Sequence, residues 1–292
     1  MVYSIENKYL KIEAERAGAQ LKSIYSKVSG REYLWQGDPA YWSGRAYNLF
    51  PTIGRMYKGI YTYEDRTYEI DCHGLARYYA FKLYERTATK MTFVFTDNED
   101  TFKAYPFRFE FYITYELQDS KLVVSHRTKN VGEKEMIFAV GGHPGINVPF
   151  GEGEFEDYYI EFSDVSNVSE KLLSPNKFMD GKSAPYRLVN GKKIPLTHSL
   201  FDNDAIVLSN TCRKVSIKSR QDPAVVTMDF SDFKYFGIWH MPETDAPYVC
   251  LEPWSALPAT DGRVDKLETK EDMTHLSAGC EHVCRYTIEI EE

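Results

Sequence analysis

Hydrophobic and polar residues alternate along much of this chain. The clearest run extends from Phe107 to Leu117, where every second residue is apolar, in the order Phe, Phe, Phe, Ile, Tyr and Leu. A period of two residues is typical of a β-strand with one buried face, and it excludes a helix here. Shorter runs of similar character predict further strands at 9–15, 20–25, 79–86, 90–96, 121–128, 157–163, 213–219, 224–230 and 283–290.

Clusters of Gly, Pro, Asn and Asp separate the predicted strands at regular intervals. This spacing is typical of a sandwich or a barrel. The chain has no sustained amphipathic helical pattern, no linker rich in Pro, Gly or Ser, and no obvious fixed-period repeat. We therefore predict an all-β fold, a large antiparallel sandwich, in one domain that spans residues 1–292, with 164–203 and 255–282 as loops.

The composition narrows the classes of partner. The 292 residues include 35 Lys or Arg and 43 Asp or Glu, which gives a formal net charge of -8. Such a charge disfavours binding to nucleic-acid phosphates or to an anionic membrane. The N-terminus lacks a signal-peptide pattern and no run of eighteen apolar residues occurs, so we expect a soluble, cytoplasmic protein. The five cysteines lack the spacing of a disulfide framework, which favours reduced thiols.

Four short segments interrupt the strand pattern with unusual local chemistry. They are Asn48-Leu-Phe-Pro-Thr-Ile-Gly-Arg55, His73-Gly-Leu-Ala-Arg77, Gly141-Gly-His-Pro-Gly145 and Leu251-Glu-Pro-Trp254. In this order they resemble the motifs of the aldose 1-epimerase family, in particular its LacX-like and hexose-6-phosphate epimerase branches. The resemblance covers roughly residues 45 to 255 and depends on the ordered combination of motifs. It implies a galactose mutarotase-like sandwich that needs neither a metal nor another cofactor.

His143 and Glu252 are the candidate catalytic residues. The glycines and Pro144 around His143 predict a loop that presents one imidazole, although a hydrogen-bonded histidine in a Gly-Pro turn has the same pattern. Glu252 follows an apolar run and precedes a proline, which predicts a carboxylate at a strand end; the alternative is an ordinary surface glutamate. The resemblance implies that His143 protonates the sugar ring oxygen O5 and that Glu252 takes the proton of the C1 hydroxyl.

Several further residues are candidates for binding the sugar. The resemblance places His73 near the ring oxygen, Arg55 on a hydroxyl group and Asp204 just before an apolar strand, with Asp202 as the alternative to Asp204. Each residue also has a purely structural explanation: His73 as a turn histidine, Arg55 as a solvated surface arginine and Asp204 as a turn cap. Trp239 and Trp254 are candidate stacking residues or plain core residues, and Arg77 matches an arginine that lies near the phosphate in the hexose-6-phosphate epimerase branch.

Two other groups of residues suggest different chemistry. Cys280, His282 and Cys284, with His275 nearby, offer zinc ligands, but successive side chains on one strand face lie about 7 Å apart, too far for one tetrahedral ion. Cys72 beside His73 suggests a thiol nucleophile with its base. Neighbours on an extended chain point to opposite sides, so we do not expect that pair to act together. We predict that activity survives dialysis against a strong chelator.

The sequence therefore predicts mutarotation of an aldose or an aldose phosphate by a monomer or homodimer that binds no nucleic acid and no membrane. Proton removal at the C1 hydroxyl and proton donation at O5 open the hemiacetal ring, and reclosure gives the other anomer. A carbohydrate-binding protein that has lost activity is the main rival, since a fold does not guarantee a reaction. Glycoside hydrolysis is a weaker rival because only one carboxylate is placed.

Overall fold

The computed structural model describes residues 1–165 and 167–292. Strands hold 49% of the residues and helices 8%. The strands, in chain order, are β1 (Val2–Glu6), β2 (Leu10–Glu15), β3 (Leu21–Ser26), β4 (Ala46–Leu49), β5 (Ile60–Tyr63), β6 (Arg66–Glu69), β7 (Lys82–Arg86), β8 (Lys90–Thr96), β9 (Phe109–Gln118), β10 (Lys121–Asn130), β11 (Met136–Phe138), β12 (Gly141–Asn147), β13 (Tyr158–Phe162), β14 (Ser169–Leu173), β15 (Met179–Pro185), β16 (Lys193–Pro195), β17 (Ile206–Ser209), β18 (Lys214–Ser219), β19 (Val225–Asp229), β20 (Tyr235–Trp239), β21 (Tyr248–Trp254), β22 (Asp265–Lys266), β23 (Thr274–Leu276) and β24 (Glu281–Glu291).

Helical structure in the described residues is limited to short segments. One α-helix, α1 (Glu99–Ala104), begins at Asn98, whose side chain accepts hydrogen bonds from two backbone N–H groups of the first turn. The short 3-10 helices are Tyr57–Gly59, Ala76–Tyr78, Phe155–Asp157, His198–Phe201 and Leu267–Thr269. Within the same residues, no helix combines the length and the apolar character needed to cross a membrane.

Two large sheets form the body of the fold. A nine-stranded sheet has the order β16-β13-β18-β19-β24-β10-β9-β8-β7, and a seven-stranded sheet has the order β15-β14-β17-β20-β21-β12-β4. Neighbouring strands in both sheets are antiparallel. The smaller sheets are β1-β2-β3, β11-β23 and β22-β5-β6, the last with a parallel β22–β5 pair. The predicted all-β antiparallel sandwich is confirmed.

The inner faces of the two large sheets pack against each other. Phe162 of the nine-stranded sheet contacts Phe236 of the seven-stranded sheet, with ring centroids 6.4 Å apart. The Asn48 side chain of β4 lies 3.0 Å from Nε2 of His126 on β10. One connected set of buried apolar side chains runs through both sheets, from Ile5 near the start of the chain to Ile290 near its end. Burial of this apolar surface is the main stabilising contribution to the fold.

The two sheets differ in how well the sequence predicts them. All ten predicted strands coincide with strands of the nine-stranded sheet or of the small β1-β2-β3 sheet. The expectation that 164–203 is a loop is wrong, because this stretch contains β14, β15 and β16. The strands β14 and β15 form one edge of the seven-stranded sheet, and their side chains lack the regular alternation of buried and exposed positions. Segment 255–282 is mostly irregular, as expected, with the short strands β22 and β23.

Candidate active site

His143 and Glu252 lie on neighbouring strands of the seven-stranded sheet. The antiparallel register pairs Gly141 with Trp254 and Gly145 with Cys250, so it sets His143 of β12 opposite Glu252 of β21. Cross-strand partners point to the same face of a sheet. His143 is therefore presented from a strand rather than from the predicted loop, and Glu252 lies within its strand rather than at the strand end.

The pair faces away from the interior of the sandwich. Gly142, which precedes His143 on β12, points inward, where an added Cβ would lie 2.7 Å from the Tyr286 ring on β24. Because side chains alternate along a strand, His143 points to the outer face. Gly237, the β20 partner of Glu252, leaves little room for a side chain, since a Cβ there would lie 3.0 Å from the Trp254 ring and 3.2 Å from the Cβ of Glu252. Both glycines allow the functional strands to pack tightly.

Burial controls the electrostatics of the pair. His143 Nε2 lies 3.3 Å from Glu252 Oε2, and the two residues are 6% and 1% exposed. Burial, and to a smaller extent the nearby Asp204 carboxylate, raises the pKa of Glu252 well above its usual value. The Trp254 indole lies near enough to oppose this shift, although its Nε1–H makes no hydrogen bond. Burial, and then His73, lowers the pKa of His143 well below its usual value. Both shifts favour the uncharged forms, so the resting pair is a carboxylic acid and a neutral imidazole.

His73 joins the pair from a tight turn between β6 and a 3-10 helix. Its φ of 64° is left-handed, and the turn is closed by a hydrogen bond from the Gly74 N–H to the Asp71 carbonyl. The His73 ring centroid lies 5.4 Å from that of His143. His73 Nδ1 accepts a hydrogen bond from the Gly54 N–H at 3.1 Å, and burial lowers the pKa of His73 to about 3. The ring is therefore neutral, with its proton on Nε2, and can donate one hydrogen bond.

These residues line one cavity of about 310 Å³. All the candidate site residues predicted from the sequence contribute to its wall, namely Arg55, His73, Arg77, His143, Asp204, Trp239, Glu252 and Trp254. Asp202 lies outside the wall, on an exposed turn. The Asp204 carboxylate instead accepts a hydrogen bond from Trp239 Nε1 at 2.8 Å, which fixes both side chains.

Three polar atoms in the wall are buried without a hydrogen-bond partner. They are His143 Nδ1, Glu252 Oε2 and Trp254 Nε1. Buried polar atoms are normally paired, because an unpaired one costs about 1–3 kcal/mol. These three atoms are therefore open to hydrogen bonds with solvent or with a polar ligand in the cavity.

The rim of the cavity carries three basic side chains. The Arg77 guanidinium lies 3.9 Å from the centroid of the Tyr47 ring, and the Arg55 guanidinium lies 4.7 Å from that of Phe178. Arg55 also donates hydrogen bonds to the carbonyl oxygens of Asn176 and Lys177. Lys177 is the third cation. In the described part of the chain, none of the three forms an ion pair with a carboxylate, although the protein as a whole is acidic.

Known proteins resemble this chain along most of its length. The family model described as aldose 1-epimerase matches residues 1–263. The chain belongs to the aldose 1-epimerase family. It is 35% identical over 283 residues to the chromosomal protein LacX of Lactococcus lactis, with 94% of each chain covered.

Solved structures extend this aldose 1-epimerase assignment to the fold. A galactose mutarotase related enzyme from Lactobacillus acidophilus is 34% identical, with a TM-score of 0.93 over 100% of this chain and 98% of the other. A galactose mutarotase-like protein from Lactobacillus casei is 32% identical, with a TM-score of 0.94 over the full length of both chains. The protein is thus a member of a family of carbohydrate isomerases.

The structure adds cavity residues of this aldose 1-epimerase family member that the sequence did not indicate. Trp42 stacks obliquely on His143, with ring centroids 4.9 Å apart, and Tyr47 lies opposite His143 on β4. Lys177 comes from the connection between β14 and β15. None of these three lies in a motif with recognisable chemistry, and a lone aromatic residue or lysine carries no local signal for a site.

The position of Cys72 differs from the expectation that Cys72 and His73 point to opposite sides. Cys72 and His73 both line the cavity, although neighbours on an extended chain point to opposite sides. The alternation rule fails because His73 has a left-handed backbone conformation. Burial raises the pKa of Cys72 to about 11, which keeps it a thiol and not a nucleophile at neutral pH. Cys280, His282 and Cys284 do not bring their donor atoms together, as the strand geometry predicts.

Proposed function

We propose that this protein is an aldose 1-epimerase that interconverts the α and β anomers of a sugar or sugar phosphate. The observation that carries the proposal is the 3.3 Å contact between His143 Nε2 and Glu252 Oε2 at a cavity in an aldose 1-epimerase family member. The two oxygens that exchange protons in this reaction, O1 and O5, are bonded to the same carbon. The acid and the base that serve them must therefore be neighbours, as His143 and Glu252 are.

The protons held by His143 and Glu252 are sufficient for ring opening. Glu252 accepts the proton of the C1 hydroxyl as His143 donates its own proton to O5; the C1–O5 bond breaks, and O1 becomes the aldehyde oxygen. This step starts from carboxylate and imidazolium, which the resting pair reaches when the Glu252 proton moves to His143. It ends with carboxylic acid and imidazole, the uncharged forms that burial favours. Rotation about the C1–C2 bond and the reverse proton transfers give the other anomer.

The remaining cavity residues fit roles in holding the sugar. The neutral His73 ring has its Nε2–H available as a donor to a ring or hydroxyl oxygen. Asp204 accepts hydrogen bonds, and its fixed contact with Trp239 orients it. Trp42, Trp239 and Trp254 provide flat apolar surfaces against which a sugar ring packs.

The test of this function is anomer exchange measured by NMR on a panel of free and 6-phosphorylated aldoses. We expect exchange well above the buffer rate for at least one sugar. Binding of a sugar without faster exchange would instead support the carbohydrate-binding rival. A panel is needed because the family and the fold do not name the sugar.

The cations on the rim give a prediction about substrate charge. We expect Arg77→Ala to lower kcat/KM for a phosphorylated aldose about 10- to 100-fold, and to affect the free sugar much less, because a charge-assisted hydrogen bond is worth about 1.5–3 kcal/mol. Arg86→Ala, an exposed arginine on β7, is the matched control. Equal losses on free and phosphorylated sugars would exclude a phosphate role for Arg77.

A further inference from the structure

A third metal-ligand side chain lies beside the catalytic pair. Cys250 precedes Glu252 by two residues on β21 and therefore points to the same outer face of the sheet. Its cross-strand partner is Gly145, two residues after His143. One ring nitrogen of His143, the Cys250 sulfur and one carboxylate oxygen of Glu252 all lie within 4.8 Å of one another. Among the described residues, this is the one group of three or more such donors that converges.

The donor set matches the preferences of zinc. Imidazole nitrogen, thiolate sulfur and carboxylate oxygen are all common zinc ligands, and a site with three protein ligands leaves a fourth position open. Ligand atoms 2.0–2.3 Å from a tetrahedral zinc lie about 3.5 Å from one another. The His143–Glu252 contact, at 3.3 Å, already has this spacing. Only a small movement of the Cys250 side chain is needed to complete the set.

The surroundings favour entry of a cation from the cavity. Glu252 Oε2 is buried and lacks a hydrogen-bond partner, so a cation does not displace one from it. Cys250 has no exposed surface and belongs to a separate buried cluster that includes Trp35 and Tyr248. A cation therefore reaches the sulfur past His143 and Glu252.

We propose that a thiophilic divalent cation such as Zn²⁺ binds His143, Cys250 and Glu252 and reversibly inhibits the enzyme. Binding replaces the Cys250 thiol proton and the Glu252 carboxylic-acid proton, which leave to the solvent. A bound cation occupies both groups that move protons, so the cation and the sugar exclude each other. The inhibition rests on the proposed function, whereas the binding of the cation does not.

The experiment has an activity readout and an optical readout. Zn²⁺ is titrated into the anomer-exchange assay, and Co²⁺ is added to the protein to detect the near-ultraviolet charge-transfer absorption of a cobalt–thiolate bond. We expect micromolar Zn²⁺ to inhibit, a chelator to restore activity, added sugar to weaken the inhibition, and Mg²⁺ to have no comparable effect because it prefers hard oxygen ligands. Cobalt should give the thiolate absorption.

Cysteine variants identify the ligand. We expect Cys250→Ser to weaken zinc inhibition at least tenfold, relative to the variant's own activity, and to abolish the cobalt absorption. Cys72→Ser, which changes the other thiol of the cavity, should keep both. Cys250→Ala replaces the serine variant if the latter does not fold. Equal inhibition of Cys250→Ser and the parent, or a cobalt absorption that depends on Cys72, would overturn the site. If no sugar is turned over, the cobalt absorption still decides whether the cation binds.

Discussion

Glu252→Gln and His143→Asn are each expected to lower kcat by about 10²–10⁴-fold, the usual contribution of a positioned proton-transfer group. Glu252→Gln nearly preserves the shape of the side chain and His143→Asn leaves a polar side chain, so sugar binding should change much less than kcat. The double variant should be only slightly slower than the poorer single variant, because groups that act within one step show strongly non-additive effects. Independent roles predict the product of the two losses.

The chain offers a matched control in a second histidine–glutamate pair. His275 Nδ1 lies 2.8 Å from Glu135 Oε1 on the surface, where both side chains are exposed. Glu135→Gln and His275→Asn should leave kcat unchanged, and circular dichroism should show that all the variants fold. Near-parental kcat in Glu252→Gln or His143→Asn, on a sugar that the parent turns over, would remove that residue from the mechanism.

Gly74→Ala is expected to destabilise the protein by roughly 2–5 kcal/mol. The φ of Gly74 is 75°, a left-handed conformation that costs a residue with a Cβ about 1–2 kcal/mol. An added Cβ would also lie 2.4 Å from the backbone oxygen of Phe50, and relieving such a clash costs about a further 1–3 kcal/mol. Since His73 precedes Gly74 in this turn, kcat/KM should fall about 10²-fold, as for a 1 Å misplacement of a functional group.

Gly279→Ala separates these two contributions. Gly279 has a φ of 74°, and an added Cβ would meet nothing within 4 Å. Urea unfolding should therefore show only the conformational cost for Gly279→Ala, about 1–2 kcal/mol, with unchanged activity. If the two variants lose the same stability, the contact with Phe50 does not constrain the His73 turn.

Several of the strands that the sequence predicted, among them β2, β10 and β13, show a regular alternation of buried and less buried residues. In β10, for example, buried residues alternate with half-buried ones along the whole strand. The strands that carry His143 and Glu252 lack this property. All seven residues of β21 are buried, as are six of the seven in β12, because the inner face meets the sandwich core and the outer face meets the cavity or its aromatic wall. A strand buried on both faces has no two-residue pattern to detect.

The resemblance of short motifs identified His143 and Glu252 although no strand was predicted at either residue, since their segments are distinctive. It did not extend to Trp42, Lys177 or Cys250. These three come together with the pair only through the cross-strand register and the β14–β15 connection. Such long-range proximity has no counterpart in the local sequence, and the seven-stranded sheet that produces it was largely unpredicted.

The alternation along β12 and β21 has an evolutionary consequence. Gly142 and Leu251 point into the core, while their neighbours His143 and Glu252 point into the cavity. Each of these strands therefore carries two independent sets of positions, one selected for folding and one for chemistry. Sugar preference can diverge through the outward positions and the rim loops while the inward positions keep the scaffold. A laboratory library that varies Arg55, Arg77 and Lys177 would sample new specificities without disturbing the interior.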